Sequence, residues 1–132
     1  MRGAPFYFLE RKGDDMKEMI MIVKPEKLEV IKGRLDELNC GGMTISTVMG
    51  CGTQKGVVEE NSVNQIKGYH TTINLLPKVQ ISIVVQDSKV ETIIAEVRDK
   101  VATDRVGDGK IFIRSMEDAI RIRTGERGEK AL

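Results

Sequence analysis

Residues 78–101 read KVQISIVVQDSKVETIIAEVRDKV, and the spacing of the apolar side chains changes once along them. Val79, Ile81, Ile83 and Val85 alternate with period two, which places them on one face of a strand. Val90, Ile93, Ile94, Val97 and Val101 then recur at helical spacing and form one apolar stripe. Ser88 and Glu91 between them have the spacing of a capping box, so a helix start is expected there. A strand that passes within a few residues into an amphipathic helix is half of a strand–helix unit.

The other half lies upstream. Residues 17–23, KEMIMIV, form a short apolar run bounded by Pro25 and read as a buried strand. Pro25 suits the first turn of a helix, and Leu28, Ile31, Leu35 and Leu38 supply its stripe. Asn39-Cys40-Gly41-Gly42 carries the turn chemistry that ends it. Residues 43–49, MTISTVM, are β-branched and alternating, hence a second strand, and a fourth runs from Lys110 to about Arg114. The order β-α-β-β-α-β predicts an α+β, ferredoxin-like sandwich: an antiparallel sheet with two helices on one face. The opposite sheet face then lacks cover, and oligomerisation is the natural way for so small a chain to supply it.

Two segments stand outside this plan. The connection of residues 50–77 is far longer than the usual few residues and contains Gly50, Gly52, Gly56 and Gly68. It is either a functional arm or a disordered insertion; its length favours the arm, with ends that extend the two flanking strands as a ribbon and a mobile middle. Residues 1–15, MRGAPFYFLERKGDD, hold three of the five aromatic side chains and lack the apolar core and cleavage site of a signal peptide. Regular patterning begins at Met16, and residues 10–15 can be encoded by a purine-rich stretch of the kind that precedes bacterial start codons. Met16 is therefore the expected natural start, with a genuine flexible extension as the alternative.

Composition narrows the function. At 132 residues the chain makes one domain, and its 21 basic and 20 acidic side chains nearly cancel. No global field favours nucleic acid or an anionic membrane, and the scarcity of aromatics argues against base stacking. No apolar run approaches the roughly 20 residues of a membrane span. Cys40 and Cys51 match no metal-ligand spacing, there is one histidine, and a reduced, cytoplasmic setting fits best.

The chemistry concentrates in residues 106–129, VGDGKIFIRSMEDAIRIRTGERGE. Gly107 and Gly109 flank Asp108 and deliver Lys110 at the head of a strand. Arg121 and Arg123 alternate with Ile120 and Ile122, which predicts both guanidinium groups on one face of an extended segment before a turn at Thr124–Gly125. Taken singly, these are a β-turn and a solvated strand face. Together, three cations and a loop of approachable backbone N–H groups can neutralise a polyphosphate.

From Met16 onward the chain resembles the PII signal-transduction proteins of nitrogen regulation. Four blocks carry the likeness in order: KPEKLEVIK (24–32), GGMTISTVMGCGTQKG (41–56), LLPKVQISIVV (75–85) and VGDGKIFI with IRIRTGERGE (106–129). The resemblance implies a homotrimer of ferredoxin-like subunits whose sheets line its interior, with a T-loop at about 50–77. It implies ATP or ADP bound in each of three clefts between subunits, and 2-oxoglutarate bound beside Mg-ATP. Gly42, Met43 and Thr44 would border the adenine; Gly52 and Gln54 would approach the phosphates; Gly107, Asp108, Gly109 and Lys110 would cradle them; Arg121 and Arg123 would complete the cage. Gln54 would also give its side-chain oxygen to Mg²⁺, while Lys78 and the backbone at Gly56 would hold the 2-oxoglutarate. Glycine at these positions permits close backbone approach, and Lys and Arg neutralise oxyanions.

Departures from the family pattern are equally specific. Thr71 stands where a modified tyrosine is usual, Tyr69 lies two positions earlier, and the T-loop is lengthened. Thr53, Ser82 and Asp104 replace a common arginine, acidic residue and glycine around the nucleotide. The expected function is a non-enzymatic, cytoplasmic sensor whose T-loop conformation controls targets such as an ammonium transporter, glutamine synthetase or its regulators, or nitrogenase. A nitrogenase-regulating variant is the nearest alternative. A slow ATP-hydrolysing enzyme is the contrasting class, weakened because Asp108 is the cage's only acidic residue. A purely structural trimer gives no reason for the glycine loop and the paired arginines.

Overall fold

The structure is a computed structural model that describes residues 15–51 and 75–132, together with the backbone of 63–66 and 69–72. Strand β1 is Met16–Val23, helix α1 Leu28–Glu37 and strand β2 Met43–Cys51. Strands β3, Val63–Ile66, and β4, Tyr69–Thr72, lie within the long connection. Strand β5, Leu75–Gln86, helix α2, Val90–Val101, and strand β6, Lys110–Met116, follow.

Strands β2, β5, β1 and β6 lie side by side in that order, and every pairing is antiparallel. With two helices packed on this sheet the fold is the ferredoxin-like α+β sandwich. Its core follows from strand alternation: Met19, Met21 and Val23 of β1 and Val79, Ile81, Ile83 and Val85 of β5 are buried beneath the helices. Ile31 and Leu35 of α1 and Val90, Ile93, Val97 and Val101 of α2 meet them, while Leu28, Leu38 and Ile94 pack partly buried at the margin. Arg34 on α1 ties the two helices through Glu96 on α2, Nε to Oε2 at 2.7 Å.

Both helices start later than the sequence suggests, α1 after a 3₁₀ turn at Pro25–Lys27. Residues 87–89 form a single 3₁₀ turn, and α2 begins without any side-chain cap, so the Ser88–Glu91 capping box does not form. Backbone hydrogen bonding from the preceding turn replaces it, with the Val90 N–H donating to Asp87 O. The end of α1 does use the predicted turn, through Asn39 rather than a glycine. Asn39 has φ 60°, its N–H reaches Asp36 O at 3.0 Å, and the Cys40 N–H reaches Leu35 O at 2.8 Å. That paired pattern is the left-handed helix stop in which Asn is the usual substitute for Gly.

The long connection is shorter at its base than residues 50–77, because β2 runs to Cys51 and β5 starts at Leu75, paired as Cys51↔Leu75. The ribbon-like ends expected from sequence are therefore present. A second hairpin was not anticipated: Val63 pairs with Thr72 and Ile66 with Tyr69. No strong alternation marks it in the sequence. The expected mobility of the loop's middle, and the expectations for residues 1–14, lie outside the described residues.

Candidate functional site

The loop from Ala102 to Gly109 joins α2 to β6 and takes its shape from two glycines and one carboxylate. Gly107 and Gly109 have φ of 101° and 109°, the left-handed region that glycine adopts without steric cost. A Cβ on Gly109 would lie 2.1 Å from the Ile22 carbonyl oxygen, so the loop is pressed against the end of β1. Asp104 also lies at φ 61°, a position that costs a non-glycine residue. The Asp108 carboxylate accepts from the Thr103 N–H at 2.6 Å and from the Thr103 hydroxyl. Those bonds hold its carboxyl below the ordinary range. Asp108 thus closes its own loop through its carboxylate.

Lys78 on β5 donates from Nζ to the Gly107 carbonyl at 3.2 Å. This bond joins the loop to the strand that follows the long connection. Lys78, Gly107, Lys110, Phe112, Gly50 and Cys51 line an open cleft of about 350 Å³. Gly50 faces Lys78 closely, since a Cβ there would sit 3.1 Å from its Cγ. The cleft therefore offers two ammonium groups, glycine backbone and the root of the long connection.

Gly42, Met43 and Thr44 occupy the opposite end of β2. Gly42 lines a separate cleft of about 360 Å³ with Asn39, Gly41, Val84, Lys89 and Leu132. Gly42 and the glycine loop therefore border two different clefts of the chain.

The two arginines do not behave as the alternation predicted. Ile120 pairs with Arg127 and the Arg121 N–H reaches Glu126 O at 2.9 Å, but residues 122–124 turn. Gly125, at φ 76°, closes the turn with its N–H on Arg121 O at 2.7 Å. The extended run therefore stops at Arg121, and Arg123 does not continue its face. Ile122 is fully exposed, so no core contact holds the segment straight. Arg121 is engaged by Glu126 Oε1 at 2.9 Å and by the Leu132 carbonyl at 3.1 Å, and a phosphate would have to exchange with those partners.

Gly52, Gln54 and Gly56 lie outside the described residues. Among the described residues no group of three His, Cys, Asp or Glu side chains could hold a metal. Both cysteines are unpaired thiols, Cys40 buried and Cys51 exposed. Thr103 is the site residue that sequence reading missed; a hydroxyl residue five positions before Asp108 was its only trace. No helix among the described residues is long and apolar enough to cross a membrane.

Known proteins share this fold. A family model described as nitrogen regulatory protein P-II matches residues 16–126. The chain belongs to the P-II family. Nitrogen regulatory protein P-II 2 of Methanothermobacter thermautotrophicus is 44% identical over 117 residues, covering 89% of this chain and 97% of the relative. Nitrogen regulatory protein P-II of Rhodospirillum rubrum is 42% identical over 117 residues, 89% of this chain and the whole of the relative. Among solved P-II structures, the Bacillus subtilis GlnK-ATP complex superposes with a TM-score of 0.73 at 28% identity, covering 91% and 98% of the two chains. Arabidopsis thaliana PII bound to citrate gives 0.69 at 31% identity, covering 89% and 92%. The P-II relatives are named as regulatory proteins, not as enzymes.

Proposed function

We propose that this P-II family protein is a non-enzymatic sensor of ATP or ADP and of 2-oxoglutarate, and that it controls target proteins through its T-loop. The observation that carries the reading is the Lys78–Gly107 bond at 3.2 Å. One lysine bridges the glycine loop suited to phosphates and the strand that leaves the T-loop. A carboxylate that takes Lys78 changes the tether between those two elements, and the differential affinity of the ligand for the two arrangements is the energy available to move the loop. The GlnK neighbour was solved with ATP and the Arabidopsis neighbour with citrate, a polycarboxylate, which supports both ligand classes.

Phosphates would meet Lys110 and the backbone of Gly107 and Gly109, and the base would lie against Gly42–Thr44 of a neighbouring copy. The uncovered face of the sheet, with Phe112 half exposed on it, supports a homotrimer with its clefts between subunits. Arg121 and Arg123 would join the cage after Arg121 exchanges its Glu126 partner. Mg²⁺ would rest mainly on ligand oxygens, with Gln54 as the protein's contribution, and would supply charge neutralisation for the phosphates. The same oxygen-rich, protein-poor site suits binding better than hydrolysis, because Asp108 is committed to Thr103 and supplies no general base. Targets are the ammonium transporter, glutamine synthetase or its regulators, or nitrogenase, the last in a nitrogenase-regulating variant. The setting is cytoplasmic, with neither nucleic acid nor direct membrane insertion.

Calorimetry tests this reading. ATP with Mg²⁺ should bind, and 2-oxoglutarate should bind to the ATP-saturated protein and not to the nucleotide-free one. Lys78→Ala should abolish the second response and keep the first. Failure of ATP to bind overturns the nucleotide site; 2-oxoglutarate binding that survives Lys78→Ala overturns the role given to that lysine.

A further inference from the structure

One carboxylate on the helix-free face of the sheet belongs to neither cleft. Glu18 stands on β1, and its side chain is only 14% exposed although the face is open. Its Oε2 accepts the Ser82 hydroxyl at 2.7 Å, and its Oε1 accepts Arg114 Nε at 2.6 Å. Both partners keep its carboxyl ionised below the ordinary range, the Ser82 bond most of all.

An ionised carboxylate accepts and cannot donate. Ser82 has a single hydroxyl proton, and Glu18 takes it. What Ser82 Oγ presents to anything else is therefore a pair of lone pairs, and the orientation cannot reverse while Glu18 stays charged. Register then places this fixed acceptor. Ser82 stands directly opposite Thr44 of β2. Val84, the next residue on the same face of β5, lines the cleft with Gly42. A purine seated on Gly42–Thr44 would meet a hydrogen-bond acceptor at Ser82, complementary to an exocyclic amine and repelled by a carbonyl oxygen.

We propose that Glu18 is a positioning residue which, by taking the Ser82 proton, gives the cleft its preference for a 6-amino purine nucleotide over a 6-oxo one. The inference rests on the nucleotide reading given above. Its chemistry predicts discrimination of about tenfold, the worth of one hydrogen bond.

The test compares ATP with ITP, which carries an oxygen in place of the 6-amino group, by calorimetry on the wild type, Glu18→Gln and Ser82→Ala. The wild type should bind ATP about tenfold tighter. Glu18→Gln gives Ser82 a partner that can donate as well as accept, so the ATP/ITP ratio should fall towards one, chiefly through tighter ITP binding. Ser82→Ala should lose the ratio equally, and the double variant should add nothing to it. Circular dichroism checks that each variant is folded, and Ser82→Ala carries the test if Glu18→Gln does not fold. Equal binding of ATP and ITP by the wild type overturns the inference, as does a ratio unchanged in either folded variant. Absence of ATP binding by the wild type overturns instead the nucleotide reading beneath it.

Discussion

The glycine loop turns on single atoms. Gly109 has left-handed φ and lies under the Ile22 carbonyl, so Gly109→Ala meets both a strained backbone and a 2.1 Å clash with an immovable atom. It should destabilise the protein by about 3 kcal/mol or prevent folding, as read by urea denaturation. Gly125→Ala has left-handed φ and open space, and should cost only about 1 kcal/mol. Asp108 supplies a pH signature. Its folded carboxyl is held below its ordinary value of 3.8. The loop's contribution to stability is therefore whole above that value and is lost as pH falls through the lower, folded one. Comparing thermal midpoints from pH 6 to pH 2 should show Asp108→Asn below wild type at the upper end, with the gap closing under acid. A constant gap across that range would refute the assignment.

At the scale of elements, α1 shows which sequence signals carry structural information. Its apolar stripe predicted the buried face, and Ile31 and Leu35 are completely buried against the sheet. Leu35→Ala should cost about 2–5 kcal/mol in chemical denaturation, for lost transfer energy and a residual cavity. The helix stop is equally testable. Asn39→Gly should leave stability within a few tenths of a kcal/mol of wild type, whereas Asn39→Val should lower it by about 1–2 kcal/mol, since φ 60° is tolerated by Gly and Asn and is most costly to a β-branched residue. The Ser88–Glu91 pair misled because spacing alone does not fix backbone geometry. With the chain in a 3₁₀ turn over residues 87–89, the cap position passes to Lys89, whose side chain cannot accept. The Arg121–Arg123 alternation misled for a related reason. Period two requires a partner strand to keep the chain extended, and beyond the Ile120–Arg127 bridge Gly125 offers a tighter route.

For the whole molecule, the uncovered sheet face is the dominant fact. Ile20 and Ile22 alternate with the buried residues of β1, and Phe112 beside them is half exposed on β6. Sedimentation equilibrium should give about three times the 14.7 kDa chain mass, in keeping with the proposed trimer. Phe112→Glu should shift the distribution towards single chains by placing a charge where apolar surface is expected to meet. The sequence by itself determined the order of the elements outside the long connection, most of the core and the glycine loop. These depend on periodicity and on backbone permissions that neighbouring residues set among themselves. The family was legible for the same reason, in four blocks of local pattern. Tertiary structure alone decided that Asp108 serves its own loop, that Lys78 bonds Gly107, that Glu18 reaches Ser82, and that Gly42 and the glycine loop line separate clefts. Each is a relation between parts of the chain that are apart in sequence. Sheet register and chain reversal set such relations; local sequence does not carry them.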